Sequence, residues 1–246
     1  MASEASKRLD GKVALITGGS RGVGRAIAEA YAREDAKVFI CARNQKEVDR
    51  VVSEIRRAGG QIDGSAGDIG KLEDVRRIVQ TAAGEFGGID VLVNNASLLG
   101  PRVHIASYPA DAWEEVLRVN LTGLFFVTHL VLQIMIPRRQ GSIVNLSSGV
   151  GRVGRARWGA YAASKFGVEG FTQMVAEEVK EFGIRANTVN PGATRTQMRA
   201  AAYPDEDPLT LPTPDEVTEI FTYLASDQSA GVTGKSLNAR DWAHGN

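Results

Sequence analysis

An apolar run, Val13-Ala14-Leu15-Ile16, breaks into Thr17-Gly18-Gly19-Ser20-Arg21-Gly22-Val23-Gly24 and then into residues of helical character. A strand that bends through glycines into a helix restricts what the chain can become. The glycines permit positive φ in the turn, close approach of a ligand to the backbone and tight helix–strand packing. The first-turn amides of the following helix form a site for a pyrophosphate. Similar turns also occur where nothing binds, so the octet must be weighed with the rest of the chain.

The alternation it begins continues to about Leu237. Strands are expected near 13–17, 37–42, 62–67, 90–94, 141–147, 185–190 and 235–238, with helices between them. Val38-Phe39-Ile40-Cys41 and Val91-Leu92-Val93 are continuously apolar, as parallel strands covered on both faces require. Glu47 to Arg57 places Val48, Val51, Val52 and Ile55 at helical spacing and stops at Gly59-Gly60. The pattern predicts an α/β fold, a doubly wound parallel sheet of Rossmann type in three layers, α/β/α. With 246 residues, 43% of them hydrophobic, and no proline- or serine-rich linker, one domain over 1–246 is expected.

Composition narrows the function. Lys plus Arg equals Asp plus Glu at 29 each, so net charge points to neither nucleic acid nor an anionic membrane. The single cysteine, Cys41, excludes an intrachain disulfide and a cysteine-rich zinc site, and it reads as a core residue. His104, His129 and His244 lack ligand spacing, so no metal is expected. No apolar run reaches the roughly 20 residues that span a bilayer, and the polar start lacks a signal peptide's apolar region. A cytoplasmic protein with a loose arm at residues 1–9 is expected.

Ligands bind such sheets at the carboxyl ends of the strands. After the second strand stand Ala42 and Arg43, with no acid to chelate ribose hydroxyls, and Arg21 lies in the glycine-rich turn. Two guanidinium groups suit the 2′-phosphate of NADP, although both could equally be solvated surface arginines. Asp68, followed by Ile69, is placed to hold a ligand, to cap the helix led by Lys71-Leu72-Glu73-Asp74, or to do both. Asn94, Asn95 and Ala96 directly follow a buried strand. Tyr161 and Lys165 sit one helical turn apart on one face, where a cation would lower the phenol's pKa toward working range.

In that order these motifs resemble the short-chain dehydrogenase/reductase family, over residues 11–238, with ketoacyl reductases as similar members. The glycine pattern is that family's Thr-Gly-x-x-x-Gly-x-Gly, which would hold the cofactor through Gly18, Ser20, Arg21, Gly22, Val23 and Gly24. The resemblance implies NADP(H) as cofactor, NAD(H) being possible, with Arg43 at the 2′-phosphate, Asp68 and Ile69 at the adenine, and Asn95 and Ala96 along the cleft. Pro191 and Gly192 would shape the nicotinamide pocket, Thr194 would meet the carboxamide through its backbone, and the Thr196 hydroxyl would meet carboxamide or phosphate. It assigns sheet-stitching to Asn94, and catalysis to Ser148, thirteen residues before Tyr161, with Tyr161, Lys165 and Asn120. Ser148 would hold the substrate oxygen, Tyr161 would pass the proton, Lys165 would reach the ribose and Asn120 would hold a relay water.

The implied activity is hydride transfer between nicotinamide and a carbonyl or secondary alcohol, a ketone or 3-oxoacyl thioester being the expected substrate. An alcohol dehydrogenase running oxidatively and a non-catalytic nucleotide sensor are the alternatives. Residues 197–214 correspond to a substrate lid, here short, acidic and proline-broken. Asp35 replaces the family's glycine, and Leu237-Asn238-Ala239-Arg240-Asp241 departs from Val-Asp-Gly-Gly. Arg152, Arg155 and Arg157 form either a basic patch for an acidic partner or a solvated loop. The apolar surfaces of 121–135 and 167–179 match helices that in relatives form a bundle between subunits, implying a homodimer or homotetramer.

Overall fold

The computed structural model describes residues 7–242. Seven strands, β1 (Val13–Thr17), β2 (Lys37–Ala42), β3 (Gln61–Ala66), β4 (Val91–Asn94), β5 (Gly141–Leu146), β6 (Ile184–Asn190) and β7 (Ser236–Asn238), form one sheet in the order β3-β2-β1-β4-β5-β6-β7. Every pairing is parallel. The strand order reverses between β1 and β4, where Thr17 pairs with Asn94, and this is where a doubly wound sheet opens its ligand crevice.

Alternate strand residues point to opposite faces. Ala14, Ile16, Val38 and Ile40 pack on one side with residues of α1 (Gly22–Arg33), α2 (Gln45–Arg57) and, later in the chain, Glu219–Ala225. Leu15, Phe39, Leu92 and Ile143 pack on the other with α3 (Leu72–Phe86) and two long helices of the chain's second half. Local chemistry sets the helix ends. Asn44 caps α2 by accepting from the Glu47 amide, and Arg56 and Arg57 complement the dipole at its last turn. α3 stops at Gly87, whose φ is +82°. Asp35, in the family's glycine position, adopts a left-handed φ of +61°.

Beyond β4, the helix α4 (Ala110–Leu117) runs through a π-helical turn, Arg118–Gly123, into α5 (Leu124–Arg138). The combined rod, Ala110–Arg138, is long and apolar enough to cross a membrane by length and composition, which a count of unbroken apolar residues does not register. Here Val127, Val131 and Met135 are buried against the sheet. The helix α6 (Gly159–Val179) lies beside it. α7 (Gln197–Ala202), α8 (Glu219–Ala225) and the short α9 (Ala239–Trp242) complete the fold.

The described part of the expected loose arm is anchored. Arg8 is paired with Glu34 and Glu219, Lys7 donates to the Arg33 carbonyl, and Leu9 is fully buried. Residues 1–6 and His244 lie outside the described residues. Cys41 is buried in β2, where burial pushes its thiol up to about 12. His129 stacks on Phe125, and no cluster of metal-ligating side chains occurs among the described residues.

Candidate active site

A cleft of about 1080 Å³ opens over the carboxyl ends of β1, β4, β5 and β6. The glycine-rich turn forms one wall. Its Gly18 and Gly22 have φ of +67° and +55°, and the Gly18 and Gly19 amides donate to the Cys41 carbonyl at 2.8 and 3.2 Å. A Cβ at Gly24 would strike the Asn95 amide and the Gly18 carbonyl, so this glycine is needed for packing behind the cleft. Asn95 braces the turn: its Nδ2 donates to the Thr17 and Gly18 carbonyls at 2.9 and 3.0 Å. It therefore borders the cleft with a side chain already committed to the protein. Asn94 stitches the sheet, donating to Thr128 Oγ1 at 3.0 Å and Asn145 Oδ1 at 2.9 Å.

At one end of the cleft lie Ser20, Arg21, Arg43, Asp68 and Ile69. Arg43 is exposed, while Arg21 reaches across to α7 (Gln197–Ala202) and donates to Gln197 Oε1 at 3.1 Å. An acid does border this end: Glu47, from the first turn of α2, accepts from Ser20 Oγ at 3.1 Å. Reading only the residues that follow β2 misses it, because the turn of α2 brings it back to the site. Asp68 does not cap α3. Its carboxylate accepts from the Gly70 amide and from Arg118 at 2.8 Å, while Asp74, from the first turn of α3, accepts from the Asp68 amide. Burial works to raise the Asp68 pKa, but Arg118 and the Gly70 amide outweigh it and hold the carboxyl below its ordinary value.

At the other end, Ser148 follows β5 and Tyr161 and Lys165 project from α6. Ser148 is half-buried and its Oγ accepts from the Val150 amide at 3.5 Å. Ser147, its neighbour, is buried next to Glu169 rather than paired in the cleft. Lys165 Nζ donates to the Leu146 carbonyl at 2.8 Å and sits 5.6 Å from the centre of the Tyr161 ring. The expected depression of the phenol's pKa is reversed. Burial pushes Tyr161 up to about 12, with the Ser148 hydroxyl opposing, and burial pushes Lys165 down to about 8, with Glu169 opposing. At Tyr161 desolvation outweighs the hydrogen bond with Ser148.

Asn120 lies behind the cleft in the π-helical turn, fully buried. Its Oδ1 accepts from the Leu98 amide at 2.7 Å, and its Nδ2 donates to the Leu98 carbonyl at 2.9 Å and to Ser164 Oγ at 3.0 Å. Both amide hydrogens are used, leaving this side chain one acceptor lone pair for a water.

Pro191, Gly192, Thr194 and Thr196 line the wall beyond β6. Thr194 Oγ1 donates to the Pro191 carbonyl, and Thr196 Oγ1 accepts from the Arg199 amide as the cap of α7. From segment 197–214, Gln197, Met198, Arg199, Ala201, Ala202 and Pro214 border the cleft, and Met198, Ala202 and Leu99 form an apolar wall with Trp158 beside Tyr161. Arg102 lies between the Trp158 and Tyr203 rings, 4.6 and 4.7 Å from their centres, and donates to the Ala202 carbonyl. Two of the three acids in 203–208 are engaged within segment 197–214. Glu206 is paired with Arg199, and Asp207 accepts from the Leu209 amide. The loop before α6 divides: Arg155 and Arg157 are exposed, whereas Arg152 is tied to Glu169.

Positive-φ glycines, an open backbone cradle and a cleft running the width of the sheet fit a dinucleotide. Comparison with known proteins agrees. The family model for short chain dehydrogenases matches residues 12–207. The uncharacterized oxidoreductase YciK of Escherichia coli K12 is 37% identical over 94% of this chain and 93% of its own length. The 3-oxoacyl-[acyl-carrier-protein] reductase FabG of Vibrio cholerae is 36% identical over 94% and 96%. Among solved structures, a Shigella flexneri short chain dehydrogenase complexed with NADP superposes with a TM-score of 0.92 at 36% identity, covering 96% of this chain and 100% of that one. A similar enzyme of Escherichia coli CFT073 complexed with NADPH gives 0.92 at 37%, covering 96% and 99%. By the span of these matches and by the cleft itself, the chain belongs to the short-chain dehydrogenase/reductase family.

Proposed function

We propose that the protein is an NADP(H)-dependent carbonyl reductase acting on ketones with an apolar body, 3-oxoacyl thioesters being one such class. The observation that carries this reading is the convergence of Ser148, Tyr161 and Lys165 beside an apolar wall, in the same cleft as the glycine-rich turn. Arg43 and Arg21 supply charge for a 2′-phosphate, and relatives bound to NADP and NADPH support the choice.

The nicotinamide, when bound, supplies the hydride. Ser148 presents its hydroxyl to the substrate oxygen. Tyr161, with its proton held by a pKa near 12, is an acid rather than a base at neutral pH and donates to the developing alkoxide. Lys165, at about 8, is mostly charged at pH 7 and stabilises the phenolate that remains. The same groups serve alcohol oxidation, with Tyr161 then taking the proton instead of giving it. Asn120 acts by fixing the Leu98 loop and Ser164 behind the catalytic helix.

The test is NADPH consumption with a panel of aliphatic and aromatic ketones, 3-oxoacyl thioesters and quinones. Turnover of at least one carbonyl class by the wild type supports the reading. Tight NADPH binding with no carbonyl reduced contradicts it and favours a nucleotide sensor.

A further inference from the structure

Lys165 and Glu169 are the only charged residues that are buried among the described residues, and they lie one turn apart on α6. Lys165 belongs to the cleft; nothing in the chemistry above uses Glu169. Its carboxylate is nonetheless fully engaged. It accepts from Thr188 Oγ1 on β6 at 2.8 Å, from Ser236 Oγ on β7 at 2.5 Å and from Arg152 Nε at 2.9 Å. Arg152 in turn donates to Asn238 Oδ1 at 2.8 Å and to the Leu237 carbonyl at 3.0 Å. Asn238 Oδ1 also accepts from Asn190 Nδ2, and Asn190 Oδ1 accepts from the Gly192 amide at 3.0 Å. The network therefore runs from beneath the catalytic helix to the Pro191-Gly192 turn.

We propose that Glu169 is a positioning residue of the reductase: its buried negative charge keeps Lys165 protonated, and its bond to Arg152 anchors the wall that carries Gly192. This rests on the carbonyl-reduction reading above. Lys165 has three ammonium hydrogens, and a single protein acceptor, the Leu146 carbonyl, meets it at 2.8 Å. Burial lowers its pKa to about 8, and the Glu169 charge is the influence that raises it. The charged and titratable groups around the pair are Tyr161 on the same helix and Arg152 from the loop before it. β5, β6 and β7 present neutral groups: the Leu146 carbonyl, Ser147, Thr188 and Ser236.

Opposite shifts follow for the two ends of the ion pair. Removing the carboxylate leaves Lys165 near an unpaired guanidinium; removing the guanidinium leaves the carboxylate unopposed. A structural strut would shift neither in a charge-dependent sense. The experiment follows the Lys165 Nζ titration by NMR of lysine-labelled protein, assigned with Lys165→Met, alongside the pH profile of kcat/KM. In Glu169→Gln the Nζ midpoint and the alkaline limb should fall by roughly one pH unit. In Arg152→Met both should rise. If Glu169→Gln does not fold, the upward shift in Arg152→Met decides alone. Midpoints unmoved, or moved in the same direction in both variants, overturn the proposal even if kcat or thermal stability falls. Absence of carbonyl turnover would defeat the functional reading but leave the Nζ titration to judge Glu169.

Discussion

Lys165 is the residue at which stability and chemistry conflict most openly. Its folded pKa of about 8 lies below the ordinary 10.5, so between these values the unfolded chain holds more protons and stability rises with pH. Below pH 8 the full cost of the buried charge is present. Lys165→Met should therefore be more stable than wild type at pH 7, by about 1–3 kcal/mol in urea unfolding. That advantage should shrink as pH rises from 8 to 10.5, while reductase activity is lost at every pH. Equal stability with no pH trend would contradict this. The adenosine end yields a second residue-scale prediction. Arg43→Asp should weaken NADPH relative to NADH, whereas Glu47→Gln, by removing the acid that engages Ser20, should shift the ratio of dissociation constants toward NADPH. About a tenfold change in that ratio corresponds to one charge-assisted contact. Titration of both cofactors by calorimetry measures it, and an unchanged ratio would remove both side chains from cofactor selection.

At the scale of elements, the glycine-rich turn packs closely against Asn95, the residue that follows β4. Gly24→Ala forces a methyl against Asn95 and the Gly18 carbonyl. A loss of about 1–3 kcal/mol is expected in denaturant unfolding, together with weaker cofactor binding. Retention of both would show that the turn can relax. The buried strands are readable from sequence because β1, β2 and β4 are covered on both faces and so appear as unbroken apolar runs. The edge strand β3, Gln61–Ala66, has Ile62 as its one large apolar residue and begins one residue before the expected 62–67. Many cleft residues are readable because they follow strand ends in chain order, and Tyr161 with Lys165 because they share one helix face. What escaped depends on contacts between distant residues, which leave no local period. The Glu47–Ser20 bond, the Arg152–Glu169 pair and the spending of Thr196 on a helix cap are of this kind. So is the reversal at Tyr161, since a spacing of four residues reveals a nearby cation but not the burial that overrides it.

For the whole molecule, the outer faces of α5 and α6 matter most. Phe125, Phe166 and Met174 are exposed there although large and apolar. Together with the apolar rod Ala110–Arg138 they support the proposal that copies of the chain pack through these helices. Light scattering at micromolar concentration should give a dimer or tetramer, and Phe125→Glu with Phe166→Glu should reduce it to monomer. A monomeric wild type would contradict the proposal. The central claim concerns chemistry, and a single turnover tests it most directly. Enzyme preloaded with NADPH and mixed with a reducible ketone should show rapid loss of the reduced cofactor's absorbance. Tyr161→Phe, with NADPH affinity retained, should slow that step by about 10²–10⁴-fold. An undiminished rate in Tyr161→Phe would show that the proton comes from elsewhere and would overturn the assignment.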